Sequence, residues 1–200
     1  MHHMGVFDIV FILMYLLFAL IRVPRDLGNK RAKHIESRKG AVESICLLLV
    51  FTGFTTMPVL YLFTPWLDVA DFAVDPRFGW LGALTGAAGI VLLWITHRDL
   101  GREFSQTLEL KEAHRLVTTG LYSRIRHPMY TAIFLVAIAQ LLLIGNRAVA
   151  PAFLIAFTIL YFARIEKEER MLREHFGVAY DDYCLRTHRL FPSLRTTHPG

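Results

Sequence analysis

Five long apolar runs constrain this chain more than any other feature. A helix crossing a hydrocarbon core needs roughly 20 apolar residues, with about 17 tolerable. Val6–Val23 meets this, carrying Asp8 near one end and Arg22 near the other. Ser44–Phe63, Phe78–Thr96 and Met129–Gly145 contain no charged residue, and Pro58 predicts a kink in the first of these three. Ala148–Ala163 is also uncharged but short. Only Asn146 and Arg147 separate it from its predecessor, so these two runs read as a tight helical hairpin. In lipid the backbone has to satisfy its own hydrogen bonds, which leaves helices as the means of spanning. The expected fold is all-α: a polytopic integral membrane protein of about five transmembrane helices. The first run has no basic region before it and no small-x-small site after it, and four more follow, so it is expected to be a retained span rather than a cleaved signal. His2 and His3 are consistent with a cloning-tag remnant and carry no argument.

Charge placement sets the expected orientation. Hydrophobic residues make up 54% of the 200-residue chain and charged residues 20%, with a net charge of +5. That composition excludes a disordered or collagen-like chain. Cys46 and Cys184 lie far apart in dissimilar surroundings, which argues against a disulfide scaffold; no CxxC or HExxH points to a metal. Arg25, Lys30, Arg31, Lys33, Arg38 and Lys39 crowd the first loop, whereas the second holds Asp68, Asp71 and Asp75 with Arg77. The positive-inside rule places the first loop, residues 97–128 and the tail in the cytoplasm, and the N-terminus outside. Topology therefore accounts for the basic loop better than nucleic acid does, since no aromatic-basic recognition module accompanies it.

Gly79, Gly82, Gly86 and Gly89 give the third span a nearly bare face, and close helix packing explains it better than a ligand groove. No G-x-G occurs, so a Rossmann fingerprint is absent.

Polar residues concentrate in two stretches flanking the hairpin. Residues 97–130 form a connection of unusual length for a membrane protein. Thr119-Gly120 marks a turn, and Pro128 opens the fourth span as a favoured first-turn proline. His127 then sits at a helix N-terminus beside Arg126, where free N–H groups and the helix dipole can receive an anion. Equally, Arg124 and Arg126 can be interface anchors and His127 a cap. Residues 163–192 continue the fifth span to about Phe176, where Gly177 stops the helix. Arg164 and Glu168 share one face at the membrane edge. Such a pair is usually an ordinary surface contact, but ionisable groups at the bilayer edge tend to face a bundle or cavity.

The pattern H-x-L-V-x-x-G-x-Y-x-x-x-R-H-P-x-Y over His114–Tyr130 is followed by Arg164, Glu168, Glu169, Phe176, Gly177, Tyr180 and Tyr183 in R-x-x-x-E-E and F-G-x-x-Y-x-x-Y. Together they resemble the isoprenylcysteine carboxyl methyltransferase family, related to the phospholipid methyltransferases. The resemblance covers roughly residues 97–192; residues before 97 match by hydropathy only. It implies S-adenosyl-L-methionine on the cytoplasmic side, beneath a lipid-open tunnel for a prenylated or lipophilic small-molecule acceptor. It also implies that His114, Arg115, Leu116, Val117, Tyr122, His127, Pro128, Met129, Tyr130 and Glu168 line the cofactor pocket, with Glu109 aligned less securely. Arg164 falls on the position that orients the acceptor, so Arg164 and Glu168 are the expected catalytic pair. The chain then reads as one structural unit: three N-terminal helices over 1–96, and over 97–200 a cofactor loop, hairpin and C-terminal cytoplasmic helix.

The cofactor's ammonium and carboxylate call for an acid and a base. Glu168 suits the first, the helix start at His127 the second, and Leu116, Val117 and Tyr130 offer apolar surface. A carboxylate acceptor needs no general base; an amine would need one, with Glu169 or His127 as candidates. Carboxyl O-methylation is the foremost expectation. The alternatives are N- or S-methylation of a phospholipid amine or small lipophilic thiol, and a non-enzymatic membrane homologue. The spans carry no central charge and no internal repeat is found, which speaks against an ion pathway or transporter. Ser193–Gly200, beyond Phe191-Pro192, is expected to be loose.

Overall fold

A computed structural model describes residues 4–29, 34–37, 40–100, 109–111 and 116–192, the side chains of 24–29, 34–37 and 109–111 excepted. His2, His3, His114, Arg115 and the expected loose tail Ser193–Gly200 lie outside the described residues.

All five apolar runs are helical. Helix α1 spans Val6–Asn29, and the second run is α2 (Ala41–Phe51), a π-helical turn (Thr52–Thr56) and α3 (Met57–Phe63). After a short 3-10 turn over Pro65–Ala70 come α4 (Pro76–Leu100), α5 (Pro128–Leu143), α6 (Val149–Phe176) and α7 (Val178–Arg186). Four of these segments are long and apolar enough to cross a membrane, and α5 is a shorter apolar helix. The short member of the hairpin is thus α5 rather than the fifth run, because α6 continues without a break to Phe176. Gly177 ends it with φ of 55°. A small antiparallel ribbon, β1 (His34–Ser37) with β2 (Glu109–Lys111), was not read from the sequence; it ties the loop after α1 to the loop after α4.

The surface of the bundle is inverted relative to a protein in water. Leu16, Leu20, Leu48, Phe63, Trp80, Leu84, Ile155 and Phe162 all point outward, as expected where the neighbour is lipid. The core centres on α5 and α6, with residues such as Val136, Ala139, Leu143, Phe153 and Phe157, joined by Phe11 and Met14 of α1 and Phe54 and Tyr61 of the second span, while α4 packs along α5. The four glycines of α4 are buried within it. A methyl at Gly79 would overlap the Phe7 ring of α1, and one at Gly89 would lie 3.1 Å from the Ala132 carbonyl of α5. Bare backbone is therefore what lets α4 touch both neighbours.

The distortion in the second span sits upstream of Pro58. Proline has no N–H to give its preceding turn, and the chain widens there: Met57 N–H reaches back to Thr52 O. The turn contains Gly53, whose missing Cβ would lie 2.9 Å from the Ala152 carbonyl carbon of α6. Gln140, fully buried in α5, donates to Gly53 O at 3.0 Å and to Val149 O at 2.9 Å. One side chain thus serves carbonyls on two other segments in an apolar interior. At the opposite end from residues 97–128, Asp8 accepts from Gly5 N–H at 2.8 Å and from the Tyr61 hydroxyl at 3.2 Å. Buried Asn146 caps α6 by accepting from Ala148 and Val149 N–H, and donates to Leu67 O and Asp71.

Gly53→Ala should lower the stability of the detergent-solubilised protein. The strain against α6 backbone is expected to cost about 1–3 kcal/mol, more than the roughly 1 kcal/mol that alanine gains over glycine in a helix. Thermal unfolding followed by circular dichroism checks this; an unchanged or raised midpoint would contradict the close approach.

Candidate active site

The site is assembled at one end of the bundle from the start of α5, the exposed extension of α6 and the tail after α7. Its central fixture is Glu169, with 7% of its side chain exposed. Arg126 Nε reaches its Oε1 at 3.3 Å and His127 Nε2 lies 3.3 Å from the same oxygen. Arg189 donates from Nε to Oε1 at 3.1 Å and from Nη2 to Oε2 at 2.7 Å. A buried carboxylate is tolerable only with such pairing. This arrangement makes Glu169 a cross-brace rather than an available proton acceptor.

The tail is stitched to the segment before α5. Arg126 N–H donates to His188 O at 2.8 Å, His127 N–H to Arg189 O at 3.0 Å, and the Thr131 hydroxyl to Leu190 O at 2.7 Å. Arg126 also donates from Nη1 to the carbonyls of Cys184 and Thr187. The expectation of free N–H groups around His127 is corrected accordingly: those of Arg126 and His127 are already used by the tail. Arg126 is not a mere interface anchor, whereas Arg124 is exposed.

Glu168, one residue before the brace, faces a different set. The Tyr130 hydroxyl donates to its Oε2 at 2.7 Å, and His127 Nδ1 lies 3.8 Å from its Oε1. Its side chain is 29% exposed, so it is held in place while still reachable. Arg164 is nearly buried, with Nε 3.8 Å from Glu168 Oε2 and Nη1 3.6 Å from Oε1 of Glu43, in the first turn of α2. Val42, Glu43, Leu160, Ala163, Arg164 and Lys167 line a small cleft there. Beneath the polar groups lies an aromatic floor: Tyr130 and Tyr161 meet edge-on at 5.3 Å, and Phe134 meets Tyr161 at 5.5 Å and Phe157 at 4.9 Å.

The loop leading into α5 is anchored from α4. Asp99 accepts from Leu121 N–H at 3.0 Å, and Gly120, with φ of 61°, packs so closely on Asp99 that a Cβ would collide with its carboxylate. Tyr122 is buried, and burial followed by the charge of Glu168 pushes its hydroxyl well above the ordinary value. Tyr183 donates to Tyr122 O at 2.6 Å, its own hydroxyl raised by burial and therefore protonated. The structure thus brings Tyr122, His127, Pro128, Tyr130, Arg164 and Glu168 into one region. Met129 is half-buried and meets Arg22 of α1 through its sulfur at 3.6 Å. Leu116 and Val117 are half-buried, and Glu109 is described only as the backbone of β2. Among the described residues no cluster of His, Cys, Asp and Glu could hold a metal ion.

Sequence reading missed Glu43, Asp99 and Arg189. Glu43 stands just outside an uncharged run, and Asp99 and Arg189 are single charges in charged stretches; pattern alone does not single them out.

Fold and site together define a polytopic helical membrane protein with a charged, partly enclosed pocket at one end of its bundle. Residues 83–174 match the isoprenylcysteine carboxyl methyltransferase (ICMT) family. It is 28% identical over 174 residues to a nickel-cobalt-cadmium resistance protein, NccN, of Alcaligenes xylosoxydans xylosoxydans, covering 87% of this chain and 72% of that one. It is 27% identical over 117 residues to a "Probable protein-S-isoprenylcysteine O-methyltransferase" of Oryza sativa subsp. indica, covering 58% of this chain and 61% of the relative. The fold is similar to that of a eukaryotic intramembrane Ras methyltransferase ICMT, with a TM-score of 0.53 and 24% identity over 89% of this chain and 60% of that one. The chain therefore spans about three-fifths of the rice relative and of the solved ICMT.

Glu169→Ala should destabilise the protein by about 3 kcal/mol, because it leaves the largely buried Arg126 without its counter-charge and buried His127 without its partner. A thermal or denaturant midpoint indistinguishable from wild type would show that the brace carries no such weight.

Proposed function

We propose that this chain is an S-adenosyl-L-methionine-dependent membrane methyltransferase that esterifies the carboxylate of an isoprenylcysteine-like lipophilic acceptor. The observation that carries the reading is the Tyr130–Glu168–Arg164 grouping, an acid and a base side by side above an aromatic floor. The names of relatives such as the rice protein favour carboxyl methylation over an amine or thiol acceptor.

The residues present fit the cofactor. Glu168 is both reachable and oriented, which suits an ammonium group. Leu116, Val117 and Tyr130 offer partly buried apolar surface for adenosine. When bound, S-adenosyl-L-methionine supplies an electrophilic methyl group on a sulfonium. Arg164 aims the acceptor carboxylate, since a guanidinium holds such a group in a fork. No side chain has to remove a proton from an ionised carboxylate, which agrees with Glu169 being committed to Arg126, His127 and Arg189. The protein's contribution is alignment and exclusion of water by buried Tyr122 and Tyr161 and half-buried Tyr130. The proposed setting is a multi-pass protein with its N-terminus outside and this pocket on the cytoplasmic face, the acceptor arriving from the bilayer.

Calorimetric titration of S-adenosylhomocysteine into the detergent-purified protein should show saturable micromolar binding, lost in Glu168→Ala. A folded wild type that does not bind in detergent or nanodiscs would overturn the reading. With a prenylcysteine acceptor, Arg164→Ala should raise KM at least tenfold, the scale of one lost charge-assisted contact, while leaving S-adenosylhomocysteine bound. A loss of cofactor binding instead would place Arg164 on the other side of the site.

A further inference from the structure

Arg164 and Glu168 stand four residues apart on α6, the spacing at which an arginine and a glutamate on one helix pair with each other. Closed together, they would neutralise the two charges that the proposed site uses. They form an ion pair that stops short of a hydrogen bond, with 3.8 Å between Nε and Oε2. Side chains from two other helices act on the pair from opposite sides. Tyr130 of α5 donates to that same Oε2 at 2.7 Å. Glu43 of α2 places Oε1 3.6 Å from Arg164 Nη1. This oxygen is buried and accepts no hydrogen bond among the described residues. Only 8% of the Glu43 side chain is exposed, and the cleft it lines is completed by apolar Val42, Leu160 and Ala163 and by Arg164 and Lys167. A buried carboxylate oxygen without a donor is costly, and the guanidinium 3.6 Å away offsets part of that cost.

We propose that Glu43 is a positioning residue: its charge draws the Arg164 guanidinium across the α2–α6 groove and away from Glu168. Glu168 then stays within reach of a cationic ligand group. The N-terminal half of the chain, which carries no motif of its own, thereby contributes to the site. The inference rests on the methyltransferase reading only in naming the cofactor's ammonium as that cationic group.

The test is titration of S-adenosylhomocysteine into the full detergent-solubilised chain as wild type, E43Q, R164M and the double variant. Glu43→Gln keeps the shape and removes the charge, so Arg164 closes on Glu168. Binding is expected to weaken about five- to tenfold in E43Q, whereas the same substitution made in R164M should change the affinity less than about twofold. A general packing defect would not depend on Arg164 in this way. Unchanged binding in E43Q, or equal weakening with and without Arg164, overturns the positioning role while leaving the wild-type site intact. Absence of binding by the wild type overturns the methyltransferase reading together with this inference. If E43Q elutes as aggregate, Glu43→Asp replaces it, with its charge on a shorter arm. About two- to threefold weakening is then expected, and unchanged binding overturns the role.

Discussion

The site depends on a carboxylate that could not stay buried alone. Glu169 is enclosed at the end of the bundle because Arg126, His127 and Arg189 converge on it from two other parts of the chain. Each of those partners belongs to a segment outside the long helices: the turn before α5 and the tail after α7. Coulomb attraction in a poorly solvated place is strong and unforgiving of missing partners. The brace therefore fixes α5, α6 and the tail in one arrangement, and Tyr130, Glu168 and Arg164 inherit their positions from it.

The apolar half of the molecule supports this from below. Because lipid provides little hydrophobic drive between helices, close contact has to come from shape. Glycines on α4 and at Gly53 bring backbones together, and Gln140 and Asn146 satisfy carbonyls and helix ends that water cannot reach. The polar residues inside the spans are thus structural, whereas those at the end carrying the charged pocket divide their work. Glu169 is committed to holding the fold together; Glu168, beside it in sequence but more exposed, meets Tyr130 and Arg164.

Adjacent residues with opposite duties follow from helix geometry. Successive side chains on a helix point about 100° apart, so Glu168 and Glu169 address different neighbours. Sequence pattern placed both in one motif and offered Glu169 only as a candidate base, because it could not show the three partners that Glu169 meets. It also treated the N–H groups at His127 as open, because the strand-like pairing of residues 125–127 with 188–189 brings together parts of the chain about sixty residues apart.

By itself the sequence determined the number and extent of the apolar helices, the stop at Gly177, the bare face of α4 and the clustering of chemistry in residues 97–192. These are local properties: run length, periodicity and single-residue conformational preference. Only the tertiary structure decided which charges meet. Glu43, Asp99 and Arg189 lie far in sequence from the groups they act on, and nothing in their immediate neighbours marks them. The π-turn before Pro58 was likewise decided by contact, since it forms where Gly53 meets α6 and Gln140 reaches its carbonyl. A charge in an exposed loop has many possible partners; packing helices against one another removes water and leaves it few.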